Sequence, residues 1–277
     1  MEILHDCARA TERCGEDGGR RREDAGCREP QAGPAVRRSV RGAVRGRRAR
    51  PAAPESPESG TLRGLMAFQT VIRTRFYDDF LLRACAGVGR PRQVVLLAAG
   101  LDTRAYRLAW PDGVAVYEID APDVLAFKDR TLADVAPRCE RVACPADLRE
   151  DWAERLAGAG FEPGRPTVWL AEGLLIYLSA EEAGRLLRRV GELSAPGARI
   201  ALEQGDSVEW LRSMAEDVPA LARVLRLWKG GLGDDTCGWM GRHGWRTRAH
   251  ELGALAEAYG RPVPGGARSG FLTAEYG

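Results

Sequence analysis

The feature that most constrains this chain is a series of short apolar runs separated by amphipathic stretches, beginning at Gln93. Gln93–Ala98 (QVVLLA) is apolar after its first residue and too short for a helix, so it reads as a strand buried on both faces. Further strands are expected at Val114–Ile119, Arg141–Ala143, Thr167–Leu170 and Arg199–Glu203. Helical patterns lie between them, near 103–109, 122–134, 150–159 and 180–193. Strands that alternate with helices at this spacing imply parallel βαβ units, because a parallel crossover needs about a dozen residues or more. A longer helical stretch over Asp206–Trp228, strands at Trp245–Ala249 and Phe271–Tyr276, and a helix over 251–259 complete the expected series. Ahead of it, Leu62, Leu65, Met66, Phe68, Val71, Ile72, Phe76, Phe80 and Leu81 recur at helical spacing and predict a helix over roughly 61–86.

Residues 1–60 have a different composition and set the expected boundary: a separate segment over 1–60 and one α/β domain over 61–277. That segment holds 13 Arg, no Lys and 10 acidic residues, with almost nothing apolar from Pro30 to Gly60, and reads as disordered. Arg-, Gly- and Pro-rich text is also what GC-rich DNA gives in a shifted reading frame or before a true start. The net charge of +2 gives no case for nucleic acid or an anionic membrane as partner. Seven cysteines without a C-x-x-C pair, beside three histidines, argue against a zinc site and for free thiols in the cytoplasm. No secretory pattern and no membrane-spanning apolar run is read, and no metal is expected.

Ligands of an open parallel sheet sit beyond the carboxyl ends of its strands, so the residues just after each strand are the candidates. After the first strand, Gly100 permits a tight turn and close backbone approach, and Asp102 or Thr103 can cap the next helix. After the second, Asp120 lies twenty residues beyond Gly100, where an acid can accept hydrogen bonds from both hydroxyls of a ribose. Asp147 and Leu148 follow the third strand, where an acid can receive an adenine amino group or cap the following helix. Glu172 follows the fourth, with Tyr177 five residues on, and both are candidates for the cofactor's reactive end. In the leading helix, Arg73 can clamp a carboxylate or belong to a solvated face. A single glycine followed by Asp102 is poorly suited to a pyrophosphate, which tilts the choice from a nicotinamide cofactor toward one bearing sulfonium and ammonium charges.

Taken together, RTRFYDDFL, VVLLAAGLDTRAYRL, VYEIDAP, ADLREDW and WLAEGLLIYL resemble the leucine carboxyl methyltransferase-like family, in its bacterial branch, over roughly residues 65–277. The resemblance implies a class I methyltransferase (Rossmann-like) doubly wound sheet of seven strands, the last antiparallel, with helices on both faces. It implies S-adenosyl-L-methionine as cofactor. Arg73 would hold its methionine carboxylate, Ala98 and Gly100 would form the turn, and Asp120 would meet the ribose. Asp147 and Leu148 would contact the adenine, and Glu172 would lie beside the amino group. The implied reaction is O-methylation of a carboxylate or hydroxyl on a small-molecule acceptor. Tyr177, Glu172 and His243 are the candidate bases for a hydroxyl. Two departures stand out: Ala98 occupies a position where relatives often carry glycine, and residues 1–60 replace an ordered N-terminal helical segment. The second keeps open a binding-only relative; a nicotinamide-dependent oxidoreductase is the weaker alternative.

Overall fold

The computed structural model describes residues 57–87, 89–204, 226–263 and 270–277. Residues 1–56 of the segment expected to be disordered over 1–60, and most of the helix expected over Asp206–Trp228, lie outside the described residues, whereas residues 57–60 are helical rather than disordered. Seven strands form one sheet: β1 (Gln93–Leu97), β2 (Ala115–Asp120), β3 (Glu140–Pro145), β4 (Thr167–Ala171), β5 (Arg199–Gln204), β6 (Trp245–Glu251) and β7 (Gly270–Tyr276). Their spatial order is β3-β2-β1-β4-β5-β7-β6. The first five run parallel, whereas β7 pairs antiparallel with both β5 and β6.

The helices are α1 (Pro57–Cys85), α2 (Arg104–Arg107), α3 (Pro122–Thr131), α4 (Trp152–Gly158), α5 (Ala180–Glu192), α6 (Thr236–Arg242) and α7 (Leu252–Ala258). Alternate residues of each strand point to opposite faces, and the core divides accordingly. Val95 and Leu97 pack with Trp152 and Leu156 of α4, Leu187 and Val190 of α5, and Met240 of α6. Val94 and Leu96 pack on the other face with Ile72, Phe76 and Leu81 of α1 and with Leu252 and Ala256 of α7.

Every residue of β1, β2 and β4 is buried: β1 and β4 are apolar after a first polar residue, whereas β2 (AVYEID) also buries the carboxylates of Glu118 and Asp120. The edge strand β6 (WRTRAHE) is instead largely polar and exposed. Helix α5 begins in a capping box: the Glu182 N–H donates to Ser179 Oγ at 3.2 Å, and the Ser179 N–H donates to Glu182 Oε2 at 2.7 Å. The expected strands and helices on described residues are all present, with ends shifted by a few residues. Helix α6 was not expected. Its sequence, TCGWMGR, carries Gly238 and Gly241, which lower helix propensity by about 1 kcal/mol each.

Candidate active site at the strand tips

β1 lies between β2 on one side and β4 on the other, so chain connections leave β1 and β4 in opposite directions. A cavity of about 370 Å³ opens at this switch point. Leu96, Leu97 and Ala98 line it from the tip of β1, Glu172 from the tip of β4, Arg73 from α1, and Asp102 and Arg104 from the turn into α2.

The turn after β1 is left-handed at two residues, Ala98 (φ 54°) and Gly100 (φ 49°). Glycine accepts this readily, whereas Ala98 carries a strain of about 1–2 kcal/mol. Asp120 holds the turn in place. Its Oδ2 accepts from the Gly100 N–H at 2.6 Å and its Oδ1 from the Ala121 N–H at 2.7 Å. Burial raises the carboxyl pKa, and the two backbone donors pull it back. Each carboxylate oxygen still has a second acceptor site, so the group can bridge the backbone and a ligand hydroxyl.

Charge is concentrated in this cavity. Arg73 Nε lies 2.8 Å from Glu172 Oε1, and its Nη1 lies 2.7 Å from Glu203 Oε1 on β5. Glu203 also accepts from the Gly173 N–H at 2.9 Å. Burial raises the Glu203 carboxyl pKa, with Arg73 opposing it. Arg104 is almost fully buried. Its Nε donates to Asp78 Oδ1 at 2.8 Å, and its Nη1 donates to Glu172 Oε2 at 2.7 Å and also to Asp102. Burial alone would loosen its proton, but Asp102, Glu172 and Asp78 together hold it more tightly than in an ordinary arginine. Arg107 pairs with Asp78 as well.

A second cavity, of about 860 Å³, lies beyond the tips of β2 and β3. Ala121, Asp147, Tyr177 and Lys229 are among the residues on its wall. Asp120 and Gly100 line neither cavity; the Asp120 carboxylate is tied to the turn after β1 through the Gly100 N–H and to the second wall through the Ala121 N–H. Asp147 is held by Arg149, whose Nη2 donates to Oδ2 at 2.5 Å. That hydrogen bond lowers the Asp147 pKa. Lys229 reaches Glu182 Oε2 at 2.9 Å.

The expected residues therefore separate into two groups. Arg73, Ala98, Asp102 and Glu172 line the first cavity, and Asp147 and Tyr177 line the second. Tyr177 ends the short helical turn Leu175–Tyr177 and does not share a cavity with Glu172. Leu148 packs against the apolar core beside its acidic neighbour. His243 lines neither cavity; it stacks on Trp239 with ring centroids 3.7 Å apart, and its Nδ1 lies 2.8 Å from the Trp239 carbonyl oxygen. Sequence reasoning missed Arg104, Asp78 and Glu203. Two of these stand inside quoted motifs, RTRFYDDFL and GLDTRAYRL, but nothing in the spacing shows that they meet.

Among the described residues no cluster of His, Cys, Asp and Glu is suited to hold a metal ion, and no helix is long and apolar enough to cross a membrane. Two solved structures share the architecture. A DUF574 family protein from Streptomyces avermitilis superposes with a TM-score of 0.58 at 13% identity, over 79% of this chain and 87% of that one. A possible exported protein from Bordetella parapertussis gives 0.55 at 14% identity, over 84% and 77%. The strand order with β7 antiparallel is that of the class I methyltransferase fold. At the sequence level, a Parafrankia protein named "Putative S-adenosyl-L-methionine-dependent methyltransferase" is 52% identical over 209 residues, 74% of this chain and 66% of the relative. One of the same name from Streptomyces coelicolor is 44% identical over 216 residues, 77% and 75% of the two chains. The sequence model of leucine carboxyl methyltransferase matches residues 14–191, beginning inside the compositionally distinct N-terminal segment. The chain thus belongs to the leucine carboxyl methyltransferase family of S-adenosylmethionine-dependent methyltransferases.

Proposed function

We propose that this chain transfers the methyl group of S-adenosylmethionine to a carboxylate or hydroxyl oxygen of a small-molecule acceptor in the cytoplasm, with the cofactor lying across both cavities. The observation that carries this reading is the opposed pair Arg73 and Glu172 at the switch point, beside the turn clamped by Asp120. A guanidinium and a carboxylate side by side suit a zwitterionic amino-acid end, whose carboxylate replaces Glu172 on Arg73 and whose ammonium replaces Arg73 on Glu172. Asp120 takes the ribose hydroxyls with its remaining acceptor sites, and Asp147 with the backbone at Leu148 meets the adenine in the larger cavity. Ala98, Gly100 and Asp102 form the wall between.

Charge balance supports the same cofactor. Around the first cavity, Arg73, Arg104 and Arg107 face Asp78, Asp102, Glu172 and Glu203, and Asp120 holds the turn after β1, so acidic groups outnumber basic ones. S-adenosylmethionine carries one net positive charge, and the demethylated product carries none, so the attraction falls when the methyl group leaves. A nicotinamide dinucleotide would bring a pyrophosphate dianion to the same acids, which disfavours the oxidoreductase alternative.

The bound sulfonium supplies a neutral thioether leaving group, so the residues of the chain mainly orient the acceptor and exclude water. A carboxylate acceptor needs no base. For a hydroxyl acceptor, Tyr177 on the wall of the larger cavity is the better placed candidate, because both oxygens of Glu172 face guanidinium groups.

Calorimetric titration with S-adenosylhomocysteine, beside NADH and beside Asp120→Ala and Glu172→Gln, tests the reading. Binding of the thioether nucleoside that weakens in both variants, with NADH inert, is expected. A folded chain that does not bind S-adenosylhomocysteine would refute it.

A further inference from the structure

Arg104 takes carboxylates from three separate elements: Asp78 of α1, Asp102 of the turn after β1, and Glu172 at the tip of β4. It cannot easily leave. Its side chain is 4% exposed, its backbone N–H donates to Asp102 Oδ1 at 2.6 Å, and its carbonyl accepts from Trp110 Nε1 at 3.0 Å. A residue present only to hold α1 on the sheet would need Asp78 alone.

Glu172 depends on it. One oxygen, Oε1, faces Arg73 at 2.8 Å, and the other, Oε2, faces Arg104 at 2.7 Å. The residue after it, Gly173, is left-handed (φ 63°), so the chain turns sharply there. A ligand carboxylate that occupied Arg73 would release Oε1. Without a second anchor the freed side chain would be free to rotate toward water; with Oε2 held, Oε1 stays aimed at the space beside Arg73.

We propose that Arg104 is the positioning residue that fixes the Glu172 carboxylate and so sets recognition of the α-ammonium of the cofactor's amino-acid end. This rests on the reading that the amino-acid end lies between Arg73 and Glu172. The planar fork of arginine is required, because three carboxylates approach from different directions and a lysine ammonium is a single compact charge on a flexible stem.

The test compares two nucleosides by calorimetry: S-adenosylhomocysteine, and 5′-methylthioadenosine, which lacks the amino-acid end. Arg104→Lys keeps the charge and loses the fork. It is expected to weaken S-adenosylhomocysteine about tenfold or more, the scale of one charge-assisted hydrogen bond, and to leave 5′-methylthioadenosine within about twofold. Glu172→Gln is expected to show the same selectivity, and the double variant to be far less than additive. Should Arg104→Lys fail to give a cooperative melt, Asp78→Asn, which loosens the guanidinium from the far side, is expected to show the same selective loss on a smaller scale. Equal weakening of both nucleosides would show a structural role and overturn the proposal, as would unchanged S-adenosylhomocysteine binding or an additive double variant. Wild-type protein that binds both nucleosides equally would remove the amino-acid site and the proposal together. Wild-type protein that binds neither would refute the cofactor reading itself.

Discussion

Glu118→Gln is expected to be among the most destabilising single-atom changes in the sheet. Glu118 lies on β2 and is fully buried, with Lys128 Nζ at 2.8 Å from one oxygen and Arg141 Nε at 2.7 Å from the other. Lys128, in the last turn of α3, is 1% exposed, so no water replaces the lost charge. Removing one partner of a buried ion pair costs about 3–5 kcal/mol, because the other is left buried and uncompensated. Arg141 contributes little to that cost: it keeps Asp129 at 2.7 Å and lies over the Tyr106 ring at 5.4 Å. The penalty therefore belongs to Lys128. At roughly 2–4 °C per kcal/mol for a domain of this size, the melting midpoint should fall by on the order of 10 °C.

The partner substitution separates the cost of a stranded Lys128 from that of a lost Glu118 contact. Lys128→Met leaves Glu118 with Arg141 and should cost less than Glu118→Gln. The double variant, with neither charge buried, should recover about 2 kcal/mol or more relative to the glutamine variant alone. Urea and thermal unfolding followed by circular dichroism measure all three. A loss below about 1 kcal/mol in Glu118→Gln, or additive costs in the double variant, would refute the reasoning. A functional consequence follows as well, since Glu118 and Asp120 point to the same face of β2 and α3 starts at Pro122. Loosening α3 should also weaken nucleoside binding.

Three further perturbations test other parts of the structure. Ala98→Gly removes about 1–2 kcal/mol of left-handed strain and gives back about 0.4–1 kcal/mol of unfolded-chain entropy, so its melt should be unchanged or slightly higher; a clear decrease would refute the strain. Glu182 has its carboxyl pushed down to about 2 by the Ser179 N–H and Lys229, so its ionised form adds stability above its ordinary value near 4.5, and that stability is lost as pH falls through about 2. Glu182→Gln should therefore melt lower than wild type at pH 7, by up to about 1 kcal/mol, with the gap closing in strong acid; a constant gap would exclude the charge as cause. At Gly270 an added Cβ would collide with the His250 carbonyl oxygen across β6 and β7, so Gly270→Ala should cost about 1–3 kcal/mol in urea unfolding, and a neutral result would contradict that pairing.

The parts of the fold that could be read in the sequence are those where one physical demand dominates. β1 and β4 have every residue buried, so QVVLL and TVWLA are apolar after a first polar residue, and the helices between them follow from the crossover a parallel pair requires. Helix α6 is different: it is held by Met240 in the core and by Trp239 against Gly184, contacts made in three dimensions, while its two glycines argue locally for a loop.

The site divides the same way. Asp102, Asp120, Asp147 and Glu172 could be picked out because topology alone brings the residues after parallel strands to one edge of the sheet. Topology does not say which wall a side chain joins. Tyr177 follows Glu172 by five residues, yet those residues cross from one cavity to the other. Arg104 shows the deeper reason. Locally it is one of two basic residues in a four-residue helix, RAYR, where an arginine would usually be solvated. Its burial is tolerable only because Asp78, Asp102 and Glu172 arrive from positions 26, 2 and 68 residues away. A buried charge is specified by all its partners at once, so no window of sequence around any one of them contains the signal, and the residue that organises the cavity is the one that spacing leaves unmarked.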